Sequence, residues 1–133
     1  MVRAGDFPAP SGAQYEIGPG SQRAVLTEVG ATLRAYSVDG ADVVDGFPIT
    51  EQSTAGRGQV LAPWPNRLRD GRYRFGTREG RAALDEPDQG NALHGLVRWL
   101  PWEPVSHTES SVRFRCVLRP QPGYPWCLEL QVA

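Results

Sequence analysis

The sequence predicts a mainly β fold made of antiparallel strands. Apolar and polar side chains alternate over residues 112–119 and again over 126–132, which is the period of a strand with one buried and one wet face. Gly and Pro number 15 and 12 and are scattered along the chain, as expected of many turns between short strands. No stretch of about ten residues or more has a convincing helical period.

The N-terminal part predicts a hairpin that follows an irregular start. Residues 1–14 are rich in Pro and Gly and are expected to be irregular. Apolar and β-branched runs at 15–17, 23–29 and 32–38 predict strands. Asp39-Gly40 then predicts a tight turn into a partner strand at 41–44, because Asp-Gly tolerates the positive φ angles that such turns require.

The middle of the chain predicts shaped loops around one short strand. Pro63 and Pro65 exclude a helix interior or a central strand across 59–70. We therefore expect a stiff loop there. Residues 72–75 alternate in the manner of a strand, whereas 76–90 are charged and rich in turn residues.

The two C-terminal strands predict an antiparallel hairpin with a long loop. Cys116 lies on the apolar face of the first strand and Cys127 on the polar face of the second. Any register that aligns the apolar faces separates the two thiols, so we predict no disulfide between them. The chain ends at Ala133 inside an alternating run. We expect the natural chain to continue and the uncovered strand edges to favour self-association.

Charge and hydropathy argue against nucleic acid and membranes as partners. Lys plus Arg number 14 and Asp plus Glu 15, for a net charge of −1, which gives no attraction to polyanions. No apolar stretch approaches the roughly 18–20 residues that span a bilayer. Residues 1–12 contain no apolar core of a secretory signal, so the predicted location is the cytoplasm.

Two loop residues could carry chemistry. Arg67 follows a stiff Trp-Pro-Asn segment, and a fixed guanidinium offers five donors that suit several hydroxyl oxygens. His94 lies between Leu93 and Gly95 and could exchange a proton near neutral pH. The alternatives are an ordinary exposed arginine and a packed histidine. His107 is interpreted as a surface residue.

The remaining candidate side chains are aromatic. Flat aromatic faces suit the apolar face of a sugar ring and also fill cores. Trp64 and Trp99 flank the candidate loops and could serve either purpose. Trp102 and Trp126 are expected in the core. The two His and two Cys residues are too irregularly spaced for a standard zinc site.

Three short motifs in order resemble the aldose 1-epimerase (galactose mutarotase) family. They are Asn66-Arg67, Asn91-x-Leu93-His94-Gly95 and Pro122-Gly123-Tyr124-Pro125. The resemblance covers roughly residues 15–133. It implies that residues 1–133 are the N-terminal portion of a single galactose mutarotase-like antiparallel β-sandwich, which they leave incomplete.

The resemblance also implies a reaction and a set of roles. The family interconverts the α and β anomers of a free hexose and needs neither a metal nor an organic cofactor. Arg67 matches its substrate-binding arginine, and His94 matches a histidine that binds the sugar near the reacting oxygen and assists catalysis. Asn66 and Asn91 match the flanking motif positions, so both are expected to contact substrate.

The same resemblance places other catalytic groups beyond Ala133. These are the proton-donating second histidine, an aspartate that binds hydroxyls and the glutamate that acts as base. This chain alone is therefore expected to be weakly active or inactive. Two alternatives stay open: a non-catalytic sugar-binding or regulatory module, and a hexose 6-phosphate 1-epimerase that uses Arg69 or Arg72.

Overall fold

The computed structural model describes residues 9–133. Its regular structure consists of antiparallel strands and one short 3₁₀ helix, Pro87–Gln89. The strands are β1 (Gln14–Ile17), β2 (Gln22–Thr27), β3 (Leu33–Val38), β4 (Ala41–Asp42), β5 (Arg67–Arg69), β6 (Arg72–Phe75), β7 (Arg78–Arg81), β8 (Asn91–Leu93), β9 (Glu103–His107), β10 (Val112–Leu118) and β11 (Leu128–Val132). The mainly β prediction is confirmed. Within this range no helix has the length and apolar character needed to cross a bilayer.

The first sheet is a four-stranded antiparallel meander in the order β1-β2-β3-β4. Val38 pairs with Ala41 around the predicted turn, where Asp39 and Gly40 have φ angles of 51° and 78°. Two consecutive positive φ angles match the twist of a two-residue hairpin, so the hairpin prediction is confirmed. β1 begins at Gln14, the last residue of the stretch predicted to be irregular, of which residues 1–8 lie outside the described range.

The second sheet has three antiparallel strands in the order β11-β10-β9. Its inner face is the predicted apolar face of β10, whose side chains are all buried: Val112, Phe114, Cys116 and Leu118. β11 begins at Leu128 and not at Trp126. In the register that pairs Leu118 with Leu128, Trp126 would oppose Pro120, which has no N–H for a ladder, and Trp126 instead packs edge-on against Tyr124 at 5.0 Å between centroids.

The two sheets share one core. Phe114 of β10 contacts Tyr15 of β1 edge-to-face, with ring centroids 5.2 Å apart. Trp102 is 1% exposed, and its indole N–H donates to the Val97 carbonyl at 3.1 Å. The prediction that Trp102 fills the core is confirmed. This packing holds the loop after β8 against the first sheet.

The cysteines and His107 lie where the strand pattern predicts. Cys116 is buried and Cys127 is exposed, and the register pairs Cys116 with Leu130. His107 ends β9 as an exposed residue. β11 lies at an edge of its sheet, and the expected self-association through such edges stays a prediction.

Three short strands were missed in the middle of the chain. β5 and β8 lie in stretches predicted to be loops, and β7 lies in the stretch predicted to be turn-rich. β5 has three residues, too few to show a period of two against the flanking prolines. β7 is largely exposed, so it lacks apolar alternation, and it is held by pairing with β6.

Candidate functional site

The candidate residues meet on the small β5–β8 ladder. Arg67 pairs with Leu93, Leu68 with Ala92, and Arg69 with Asn91. Because successive side chains point to opposite faces, Ala92 turns inward, where it is 1% exposed. Arg67, Arg69 and Asn91 therefore share the outer face. A single ladder thus displays the motif residues of two loops that are distant in sequence.

Asn66 and His94 close one end of this ladder through reciprocal hydrogen bonds. The His94 N–H donates to the Asn66 carbonyl at 2.9 Å, and the Asn66 N–H donates to His94 Nδ1 at 3.0 Å. Both residues have left-handed backbones, with φ of 59° and 60°, a conformation uncommon outside glycine and enriched at functional sites. His94 Nδ1 therefore accepts the Asn66 N–H in the way that a backbone carbonyl would accept it in a regular ladder.

This bond also decides which ring nitrogen of His94 carries the proton. A nitrogen that accepts a hydrogen bond has no hydrogen of its own, so the neutral ring is protonated at Nε2. Gly56 lies beside that edge of the ring: a Cβ on Gly56 would be 3.4 Å from Nε2 and 3.2 Å from Cδ2. The glycine leaves room for Nε2–H to act as a donor.

Close backbone contact fixes the residue that follows His94. Leu96 N–H donates to the Ala62 carbonyl at 2.7 Å. Gly95 has a φ of 74°, and a Cβ there would overlap the same carbonyl. Only glycine fits this approach, which explains the Gly that follows His94 in the motif.

Arg67 is held by an acidic partner, Glu86. Arg67 Nε donates to Glu86 Oε2 at 2.8 Å and Arg67 Nη2 donates to Oε1 at 2.9 Å, a two-pronged geometry that is stronger and more directional than a single contact. Asn91 Nδ2 donates to the same Oε2 at 3.0 Å. The Arg67 hydrogen bonds, followed by that of Asn91, lower the pKa of Glu86 to about 2.

A second carboxylate supports the other side of β8. Asp85 Oδ1 accepts the Leu93 N–H at 2.6 Å, and Asp85 Oδ2 accepts from Arg98 Nη2 at 2.9 Å. The Arg98 side chain is 12% exposed. This pair ties the strand that carries His94 to the loop that leads into the core.

The two candidate tryptophans are placed differently. Trp64 is half-buried and packs near Tyr124 at 6.3 Å between centroids. Trp99 is 48% exposed, with Arg98 over its ring at 5.2 Å, and it lines a narrow cleft with Phe47 and others away from the ladder. The structure brings together Asn66, Arg67, Asn91 and His94, packs Trp64 near Tyr124, and gives Trp99 separate contacts.

The candidate residues form an open surface and not a deep pocket. The Arg67 side chain is 52% exposed. A cleft of about 630 Å³ lies elsewhere, along the β6–β7 hairpin, and is lined by Arg72, Tyr73, Arg74, Glu79, Gly80 and Arg81. The site is therefore identified by its polar side chains and their hydrogen bonds, and not by the size of a cavity. Among residues 9–133 no group of three or more His, Cys, Asp and Glu is placed to hold a metal ion.

Comparison with known proteins places the chain in a family. The sequence profile described as aldose 1-epimerase matches residues 13–133. The chain belongs to the aldose 1-epimerase family. It is similar to the uncharacterized protein YihR of Escherichia coli K12, with 34% identity over 122 residues that make up 92% of this chain and 40% of that protein.

Solved structures of aldose 1-epimerase relatives share the fold. A GalM/aldose epimerase homologue from C. elegans matches with a TM-score of 0.77 and 23% identity over 90% of this chain and 40% of that one. A galactose 1-epimerase from Lactobacillus acidophilus matches with a TM-score of 0.65 and 21% identity over 84% of this chain and 36% of that one. The galactose mutarotase-like fold predicted from the motifs is confirmed, and the chain spans about 40% of the length of these relatives.

Sequence reasoning missed the two carboxylates of this candidate site, Asp85 and Glu86. The sequence contains 15 Asp and Glu residues, and their spacing alone does not single out these two. A signal exists: both stand before Pro87 and a glycine-ended turn that closes at Asn91. In the structure this turn brings Glu86 back to Asn91, with which it forms an antiparallel bridge.

Proposed function

We propose that the protein is an aldose 1-epimerase that interconverts the α and β anomers of a hexose, and that this chain supplies part of its substrate-binding surface. The supporting observation is the hydrogen bond from the Asn66 N–H to His94 Nδ1 at 3.0 Å. It presents Nε2–H as a fixed donor, which is what binding a sugar oxygen near the reacting centre requires.

The other polar groups suit neutral hydroxyls. Arg67 offers N–H groups in a fixed plane, and the exposed Asn66 side chain offers both a donor and an acceptor. Asn91 stands on the same face as Arg67. Trp64 stands two residues before Asn66 in the sequence, and we propose that its aromatic face covers one side of the sugar ring. Trp99 stays a prediction as a substrate contact.

The reaction needs an acid and a base on opposite sides of the anomeric carbon. A base takes the proton of the anomeric hydroxyl while an acid protonates the ring oxygen, the ring C–O bond breaks, and the open aldehyde rotates before the ring closes on its other face. The family resemblance assigns these two proton transfers to a histidine and a glutamate beyond Ala133. We therefore propose that this chain binds sugar but turns it over weakly or not at all.

The test is a titration of galactose and glucose followed by NMR. We expect saturable shifts at millimolar sugar in the His94 ring and in the Asn66 and Gly95 amides. His94→Ala should abolish the amide shifts, whereas His107→Ala, at an exposed histidine on β9, should leave them unchanged. A folded chain whose signals do not move with either sugar would contradict the proposal that it binds sugar. Enzyme-level turnover would contradict the assignment of proton transfer to other residues.

A hexose 6-phosphate is the second candidate substrate. Arg69 shares the outer face with Arg67 and forms no ion pair within the described part of the chain. Arg72, the other sequence candidate, lines the β6–β7 cleft instead. Tighter binding of glucose 6-phosphate than of glucose, abolished by Arg69→Ala, would favour the phosphate. Sugar binding with no turnover by any longer form of the protein would favour a non-catalytic module.

A further inference from the structure

We propose that Glu86 is a positioning residue of the sugar site: it fixes the plane of the Arg67 guanidinium so that the remaining N–H groups of Arg67 face the substrate. The inference rests on the proposed function of this surface. It concerns a residue that the sequence motifs do not contain, since Glu86 stands five residues before Asn91, outside the Asn-x-Leu-His-Gly run.

The hydrogen bonds leave a defined part of Arg67 free. A guanidinium has five N–H groups. One on Nε and one on Nη2 are directed at Glu86, at 2.8 and 2.9 Å, and one on Nη1 is directed at Asn66 Oδ1 at 3.4 Å. Two N–H groups therefore remain, one on each terminal nitrogen. They lie in the plane that Glu86 sets, so their direction follows from the carboxylate.

Glu86 can orient its partner because its own position is fixed. Its N–H and carbonyl exchange hydrogen bonds with the backbone of Asn91, both at 3.1 Å. Asn91 in turn pairs with Arg69 in the β5–β8 ladder. The Glu86 side chain is 21% exposed, compared with 52% for Arg67. Glu86 is therefore less exposed than Arg67, and two backbone hydrogen bonds hold it in place.

Asn91 links the pair to the motif. Its Nδ2 donates to Glu86 Oε2 at 3.0 Å, so that oxygen accepts from both Asn91 and Arg67. An Asn amide that donates to Glu86 is itself held with its carbonyl oxygen pointing away from the carboxylate. Glu86 therefore orders two of the predicted substrate contacts at once, without a requirement to touch the sugar.

The first measurement is the exchange of the Arg67 Nε–H by ¹⁵N NMR, which needs no sugar. We expect this proton to exchange about three- to tenfold more slowly than that of Arg74, whose ion pair with Glu79 spans 3.8 Å and whose side chain is 70% exposed. Glu86→Gln should reduce the difference at least twofold, because a Gln amide has one accepting oxygen and no charge, so the two-pronged pair with Arg67 is lost. Equal exchange for Arg67 and Arg74 in the unaltered chain would overturn the inference.

The second measurement is sugar affinity in the same variants. Glu86→Gln should weaken binding about three- to tenfold, the cost of ordering a long side chain on binding. Glu86→Asp, which keeps the charge, should restore part of the loss. Glu16→Gln, which breaks the exposed Arg23 pair at 2.7 Å on the first sheet, should leave affinity unchanged. Unaltered amide signals of β10 and β11 show that each variant is folded.

The outcomes separate this inference from the function on which it rests. Sugar binding that is equally tight in Glu86→Gln and the unaltered chain would overturn the positioning role and leave the function intact. Absence of sugar binding in the unaltered chain would overturn the function of this surface, and a slowly exchanging Arg67 Nε–H that Glu86→Gln releases would then show only that Glu86 orients Arg67.

Discussion

Asn66 and His94 are joined by two hydrogen bonds, one from backbone to backbone at 2.9 Å and one from backbone to ring at 3.0 Å. The second bond makes the histidine ring part of the ladder. A side chain held in this way loses little freedom when a ligand binds, which lowers the entropic cost of binding. The arrangement explains why the Asn-Arg and Asn-x-Leu-His-Gly motifs occur together.

The first prediction concerns the tautomer of His94. We expect the neutral ring to carry its proton on Nε2, because Nδ1 accepts from Asn66. Long-range ¹H–¹⁵N NMR of the ring will show this directly. His107 is an internal reference, since its Nε2 lies 2.7 Å from the Glu16 carbonyl and must donate there. A neutral His94 protonated at Nδ1 would contradict the hydrogen bond and the donor role assigned to Nε2.

The second prediction concerns the space beside His94. An alanine Cβ at Gly56 would meet the ring at 3.2 Å from Cδ2, so Gly56→Ala should weaken sugar binding about three- to tenfold by turning or crowding the ring. Gly40→Ala is the matched control: its φ is 78° against 73° for Gly56, and a Cβ there meets nothing within 4 Å.

Both glycine variants share the strain of a left-handed alanine, roughly 1 kcal/mol of stability. Their unfolding free energies should therefore fall by similar amounts, whereas their sugar affinities should differ. Equal sugar affinity in the two variants would show that Gly56 does not shape the site.

The third prediction concerns pH. The pKa of Glu86 is about 2 in the folded chain, below the ordinary 4.5, chiefly because Arg67 donates to its charged form. The ion pair therefore stabilises the fold fully above about pH 5, and this contribution falls as pH drops from 4.5 towards 2, where the unfolded chain takes up the proton first.

Urea unfolding of the unaltered chain and Glu86→Gln at several pH values tests this. The difference in unfolding free energy should be constant between pH 5 and 7 and should shrink between pH 4.5 and 2. In an Arg67→Ala background the decrease should be smaller, since the largest cause of the low pKa of Glu86 is gone. A difference that stays constant down to pH 2 would show that the pair does not form in solution.

The sequence predicted the elements that bury one face and missed those that bury little. β10 alternates over seven residues, with every second side chain buried, so the two-residue period in the sequence predicted the strand. β5 has a single inward residue, Leu68, between Arg67 and Arg69, and no period can be read from that. Short ladders of this kind depend on partners distant in the chain, such as β8, and these become visible only in three dimensions.

The residues of the candidate site also differ in whether the sequence could reveal them. Arg67, Asn66, Asn91 and His94 were found because they stand in motifs. Glu86 was missed because its role comes from a turn that returns it to Asn91, and nothing in the residue type distinguishes it from the other acids. Trp64 and Trp99 could not be separated by sequence, since the contacts that distinguish them, with Tyr124 and Arg98, come from the fold.

The fourth prediction compares two tryptophans near each other in sequence. Trp102 is 1% exposed, and its N–H satisfies the Val97 carbonyl at 3.1 Å. Trp102→Phe removes volume from the core and one of the two donors to that carbonyl, which keeps the Leu100 N–H at 3.2 Å, so the unfolding free energy should fall by about 1–3 kcal/mol. Trp99 is 48% exposed, and Trp99→Phe should change stability by no more than about 0.5 kcal/mol.

Urea unfolding followed by far-ultraviolet circular dichroism measures both variants without relying on tryptophan fluorescence. A large loss of stability in Trp99→Phe would mean that its cleft with Phe47 is part of the core. The same stable variant then tests its predicted role in the sugar site. An unchanged affinity for galactose and glucose would remove Trp99 from the substrate contacts, whereas weaker binding would extend the site from the β5–β8 ladder to that cleft.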